Sequence, residues 1–128
     1  YLSDFVGGGS CHTFGERVDY RGNEMHAAFV QGALAMTLDS LLESGAMLPP
    51  DLIKIDVDGL EPKVIAGAEG CLSVARSVLV EIDSRREDHT DIIKRMEELG
   101  FHWDDAQVMA ARRTKGDFAG IGNVNFRR

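Results

Sequence analysis

The segment Leu52-Ile53-Lys54-Ile55-Asp56-Val57-Asp58-Gly59-Leu60-Glu61-Pro62 constrains the fold more than any other part of the chain. A short apolar run, rich in β-branched residues, ends in Asp56, Asp58 and Glu61 around a glycine. Pro62 then sits well at the first position of a helix. This pattern reads as a buried strand that delivers acid groups to the carboxyl end of a sheet. In open α/β sheets, ligands collect in the crevice outside those strand ends. Ionised groups beside a buried strand need partners, so the acids are either a site or a costly accident.

The rest of the chain supplies the other parts of such a sheet. Thr37 is a good N-cap for a short helix whose apolar face is Leu38, Leu41 and Leu42, and Asp39 suits its first turn. Gly45 is a plausible stop, and Pro49-Pro50-Asp51 cannot continue the helix. Leu52 to Val57, apolar apart from Lys54, reads as a central strand buried on both faces. Val64, Ile65, Ala68, Cys71 and Leu72 follow at helical spacing. Ser77 to Ile82 is a second buried strand, and it too ends in acids, Glu81 and Asp83. Asp88 or Thr90 caps the next helix, with Ile92, Ile93, Met96 and Leu99 on its apolar face and Gly100 at its end.

Phe101 and Trp103 start a third strand, 111–120 is a polar loop, and Val124 and Phe126 mark a last strand, paired as an antiparallel hairpin. Strand–helix alternation of this kind predicts an α/β fold with a mostly parallel sheet. Residues 1–36 are the irregular part, although Phe29, Val30, Ala33, Leu34 and Met36 suggest one or two short strands. The 128 residues fit one domain, with strand–helix units over 37–128. The start at Tyr1 suggests a piece of a longer protein.

Composition excludes several functions. A 44% hydrophobic and 27% charged chain is globular. Its net charge of -7 disfavours nucleic acid, which binds clustered Lys and Arg. The basic pairs Arg85-Arg86 and Arg112-Arg113 read as solvated surface. No apolar stretch is long enough to span a bilayer. Cys11 and Cys71 lie in no metal-ligand spacing and read as free thiols of a cytoplasmic protein. His12, His26, His89 and His102 are scattered without zinc spacing, so no metal is expected.

The acidic motif admits several chemistries. Asp-x-Asp-Gly after a strand is also the nucleophile motif of haloacid-dehalogenase-type phosphatases, but Leu60 stands where that family has Thr. A calcium loop would spread its ligands over about 12 residues between two helices. Here Pro62-Lys63-Val64-Ile65 fills that space, and a strand precedes it.

Four blocks in order, Thr37-Leu38-Asp39, then Lys54-Ile55-Asp56-Val57-Asp58-Gly59-Leu60-Glu61, then Val64-Ile65-Ala66-Gly67-Ala68, then Leu79-Val80-Glu81-Ile82, resemble the FkbM-type methyltransferase family over about residues 37 to 100. Asp58 stands where that family usually has Glu. The resemblance implies a Rossmann-like class I methyltransferase sheet and transfer of a methyl group from S-adenosylmethionine to a hydroxyl of a sugar or natural-product-like acceptor. It also implies catalytic roles for Asp56, Asp58 and Glu81 and a substrate-binding role for Glu61. The family's Asp-x-Gly-x-Asn-x-Gly cofactor turn is absent. Gly7-Gly8-Gly9 follows no recognisable strand, so the chain resembles the carboxyl-terminal half of the domain, and its cofactor-binding residues stay unassigned.

Plainer roles stand beside these. Asp56 or Asp58 could cap the helix opened by Pro62, with Glu61 favourable at its positive end. Glu81 could pair with Arg76 or Arg85. The alternative function is then a non-catalytic half-Rossmann binding module. In the family's sheet, the strand matching Leu52 to Val57 lies beside the missing first strand. Its open edge would make a homodimer possible.

Overall fold

The computed structural model describes residues 1–3, 12–19 and 21–128. They fall into two compact units. One comprises Tyr1–Ala35 with Val57–Leu60, the other Met36–Asp56 with Glu61–Arg128.

Among the described residues of the first unit, regular structure is limited to isolated bridges such as Leu2 with Phe29 and Val18 with Glu24. Asp19 organises a turn by accepting the backbone N–H groups of Arg21 and Asn23, each at 2.8 Å. The strands expected over 29–36 do not form. Val30, Leu34 and Met36 are exposed, so this apolar run has no sheet to join. Cys11 and Gly7-Gly8-Gly9 lie outside the described residues.

The second unit carries the elements α1 (Leu38–Glu43), β1 (Leu52–Ile55), α2 (Glu61–Ala66), α3 (Glu69–Val74), β2 (Ser77–Asp83), α4 (Glu87–Glu98), α5 (Asp105–Ala111) and β3 (Ile121–Arg127). The sheet order is β1-β2-β3. β1 runs parallel to β2, with Ile53 opposite Val78 and Ile55 opposite Val80. β3 runs antiparallel to β2, with Val124 opposite Val80.

The sheet is therefore mixed, not mostly parallel, and the expected terminal hairpin is replaced by a different pairing. The antiparallel partner of β3 is β2, and the segment at Phe101 and Trp103 contributes only a bridge from His102 to Arg127. The stretch between them holds α5, whose Asp104 N-cap accepts from Ala106 N–H at 2.8 Å. The polar loop stands as expected, between the end of α5 at Ala111 and the start of β3 at Ile121.

β1 has the open edge expected of it but not the expected burial on both faces. Among the described residues it pairs with β2 alone. Only Ile55 of its four residues is buried, and Leu52 is 70% exposed. The core lies instead behind β2 and β3, where Val78, Val80, Ile82, Val124 and Phe126 meet Ile65, Leu72, Ile92, Met96 and Phe101.

The run expected as one helix after Pro62 is two, α2 and α3, broken at Gly67-Ala68. The break has a physical cause. A Cβ on Gly67 would meet Thr37 Cγ2 at 2.9 Å, so only glycine lets the start of α1 sit there. Thr37 caps α1 as expected, accepting from Ser40 N–H at 3.0 Å. Asp39 does more than complement a dipole. Its carboxylate accepts Gly70 and Cys71 N–H, each at 3.0 Å, and so caps α3 from a distance. Those bonds hold the Asp39 carboxyl below the usual carboxylate range. The Thr37-Leu38-Asp39 and Gly67-Ala68 blocks are thus two halves of one joint.

Candidate active site at the carboxyl ends of the strands

Because β1 and β2 are parallel and β3 is antiparallel, the carboxyl ends of β1 and β2 and the start of β3 share one end of the sheet. Asp56 follows β1 directly. Its carboxylate receives Lys54 Nζ at 2.9 Å, and its side chain is 37% exposed. Hydrogen bonding to Asp56 holds the Lys54 ammonium above its ordinary value, with a smaller pull from Glu81. The carboxylate of Asp56 remains partly exposed to water.

Asp58 belongs to the first unit, in the turn Val57–Leu60 that stops the strand earlier than the apolar run suggests. Its φ of 51° is left-handed, as is that of Gly59 at 99°. Asp tolerates this conformation better than most residues. Leu60 N–H closes the turn onto Val57 O at 3.4 Å.

Glu61 opens α2 one residue before Pro62 and is only 1% exposed. Neither capping a helix in water nor lining an open crevice describes it. Its Oε2 lies 3.4 Å from His89 Nε2, and that imidazole is itself buried. On its other side, His89 Nδ1 accepts the Asp83 backbone N–H at 3.0 Å. An accepting Nδ1 places the proton of the neutral ring on Nε2, the nitrogen nearer Glu61. The contact is not a hydrogen bond, and both atoms are buried without a hydrogen-bond partner. Burial first, then the nearby Arg86, lowers the His89 pKa, against the pull of Glu61, Asp88 and Asp83. At neutral pH the ring is therefore uncharged. His89 ties the start of α2 to the end of β2.

Asp83 ends β2 almost wholly buried. Arg85 donates to it through Nε at 2.8 Å and Nη2 at 2.7 Å, and the Arg85 backbone N–H adds a bond at 3.0 Å. This fork holds the Asp83 carboxyl below its usual range despite burial. The cap expected from Asp88 or Thr90 does not form. Arg86 is the N-cap residue of α4, with no side-chain cap bond, and its guanidinium grips Asp88 at 3.0 and 2.6 Å. Glu81 pairs with Arg113 at 3.2 Å. The expected partners are engaged elsewhere, Arg76 with Asp51 and Arg85 with Asp83.

His89 is the member that sequence reasoning set aside as scattered, and Asp83 was read there only as a strand-end acid. A signal existed, since His89, Ile92 and Met96 fall at helical spacing on the buried face of α4. Among the described residues, no group of three or more His, Cys, Asp and Glu is placed to hold a metal ion.

Glycines where the chain approaches itself closely, Gly67, Gly70, Gly120 and Gly122, meet the protein's own atoms. They serve packing and leave no open cradle for a methyl donor. Among the described residues, the fit to S-adenosylmethionine is therefore incomplete. The chemistry assignable to them concerns the acceptor.

A mixed sheet with a parallel strand pair, backed by helices, is consistent with a partial Rossmann-like α/β domain. Residues 13–103 match the model of the methyltransferase FkbM domain. The chain belongs to that family. No curated protein and no solved structure gives a significant match.

Proposed function

We propose that the protein transfers a methyl group from S-adenosylmethionine to a hydroxyl of a small, sugar-like or natural-product-like acceptor. The observation that carries this reading is the placement of Asp56. It is an exposed carboxylate at a parallel strand end, held by Lys54 at 2.9 Å, in a chain with an FkbM methyltransferase domain. A carboxylate there can orient an acceptor hydroxyl and take its proton. Most of the remaining task is alignment.

In this reading Asp56 is the base, and Glu81, fixed by Arg113, shapes the adjoining wall. Family resemblance adds Asp58 as a second catalytic acid. Glu61, buried against His89, acts on substrate through the position it gives the start of α2. The class I sheet assignment belongs to the same reading, supported by the parallel β1–β2 pair. So does a cytoplasmic location, which suits the free, buried thiol of Cys71. Among the described residues, no helix is long and apolar enough to cross a membrane.

The test is product analysis. The protein is incubated with S-adenosylmethionine and a panel of sugars and hydroxylated natural products, and the products are read by mass spectrometry. An acceptor that gains one methyl group on oxygen is expected. Methylation confined to nitrogen or carbon would contradict the reading.

A further inference from the structure

The two basic pairs of the sequence, Arg85-Arg86 and Arg112-Arg113, do not end up as scattered surface. Both come to the ligand end of the sheet. The segment from Arg113 to Gly120 is closed on itself, with Arg113 N–H donating to Ile121 O at 2.9 Å and Gly120 N–H to Arg113 O at 2.8 Å. A Cβ on Gly122 would meet Arg112 Cα at 2.8 Å and Ala111 O at 3.1 Å. Only glycine there lets the backbone at Arg112 lie so close over β3. From that position Arg112 Nη2 donates to Ser84 Oγ at 2.7 Å. Ser84 is anchored in turn, since its Oγ donates to Gly120 O at 3.0 Å.

The charges at this end do not balance evenly. Arg85 has Asp83, Arg86 has Asp88, and Arg113 has Glu81. Among the described residues, Arg112 has only the Ser84 hydroxyl. A hydroxyl orients a guanidinium but does not neutralise it. The fork of donors left over matches a carboxylate or phosphate group. In a chain of net charge -7, a guanidinium held without an acid partner is a local point of positive charge.

We propose that Arg112, set in place by Ser84 and Gly122, is an anion subsite that takes a carboxylate or phosphate group carried by the acceptor. The acceptor part of this statement rests on the methyl-transfer reading, and the subsite itself does not.

The experiment is a titration of the whole chain with inorganic phosphate, followed by the NMR shifts of the Ser84 and Gly120 amides and the Arg112 side chain. Saturable shifts are expected, with affinity lowered about tenfold or more in Arg112→Gln. Arg112→Lys keeps the charge without the planar fork and should give an intermediate affinity. Lys94→Gln, on the wet side of α4, should change nothing. Absence of saturable shifts, or equal affinity in Arg112→Gln and the parent, would overturn the subsite. Saturable binding in a protein that methylates no hydroxyl would support the subsite and defeat only the functional reading.

Discussion

The two parallel strands end alike in sequence and unlike in structure. β1 runs into Asp56 and β2 ends in Asp83, each after an apolar run. Asp56 is half-exposed and held by one flexible ammonium. Asp83 is buried, gripped by the Arg85 fork, and its backbone N–H is bound to His89. One end leaves its carboxylate partly exposed, as the proposed function needs, and the other holds its carboxylate in the interior as scaffold. Burial and partner geometry make the difference, because spacing along the chain is the same kind of signal in both. The difference also assigns Glu61. That acid lies near the open end in sequence and in the locked interior in space.

If the β2 end is scaffold, breaking it should cost stability more than anything done to the β1 end. The largest effect is expected for His89→Ala. It opens a void in the interior and leaves the Asp83 N–H without its acceptor, at a cost of about 3 kcal/mol. Urea unfolding should show the midpoint fall with little change in slope. A loss smaller than that of an ordinary surface substitution would mean that His89 ties nothing together.

The acid limb of the stability curve sharpens the same contrast. His89 is kept neutral by burial, so its pKa in the fold lies below the ordinary 6.5. The unfolded chain binds that proton first, and stability falls as pH drops through 6.5. Asp83 and Asp88 have carboxyls lowered from 3.8 by Arg85 and Arg86 respectively. Their contribution is present above 3.8 and is lost as pH falls further. Thermal midpoints taken from pH 8 downward should therefore decline in two stages, and His89→Gln should remove the first stage. A midpoint that rises between pH 7 and pH 5 would reverse the sign and contradict the neutral ring.

A smaller effect is expected at the open end. β1 has a free edge among the described residues, an exposed Leu52, and Lys54 as its only charge. Such an edge pairs readily with another strand. Light scattering should show concentration-dependent dimers, with slowed amide exchange at Ile53 and Ile55. A strictly monomeric species whose Ile53 to Val57 amides exchange freely would remove the homodimer.

Much of the second unit was legible in the residues. The apolar runs of β1 and β2, the Thr37 cap, the face of α4 and the stop at Gly100 all rest on local chemistry. Pairing does not. Nothing near Val124 says that β3 will lie against β2 and leave Phe101 and Trp103 with a single bridge. The open edge of Leu52 to Ile55 was expected from the family's strand order, and not from the residues of the strand, which read as buried on both faces. The α2–α3 break needed knowledge that Thr37 packs onto Gly67, a contact between residues far apart in the chain. The acids were legible as a group but not by role. Glu61 and Glu81 acquire their roles from His89 and Arg113, partners that only the folded chain brings near.

The most direct test sets the two strand ends against each other. Asp56→Asn and Asp83→Asn are compared for methyl transfer and for thermal midpoint, with the acceptor identified by product analysis. Asp56→Asn should lower turnover on the order of a hundredfold or more and leave the midpoint within about a degree of the parent, since an exposed ion pair contributes little. Asp83→Asn should lower the midpoint by several degrees, in line with about 1–3 kcal/mol for a broken buried charge-assisted pair. The account is contradicted if Asp56→Asn keeps full turnover while the protein melts lower.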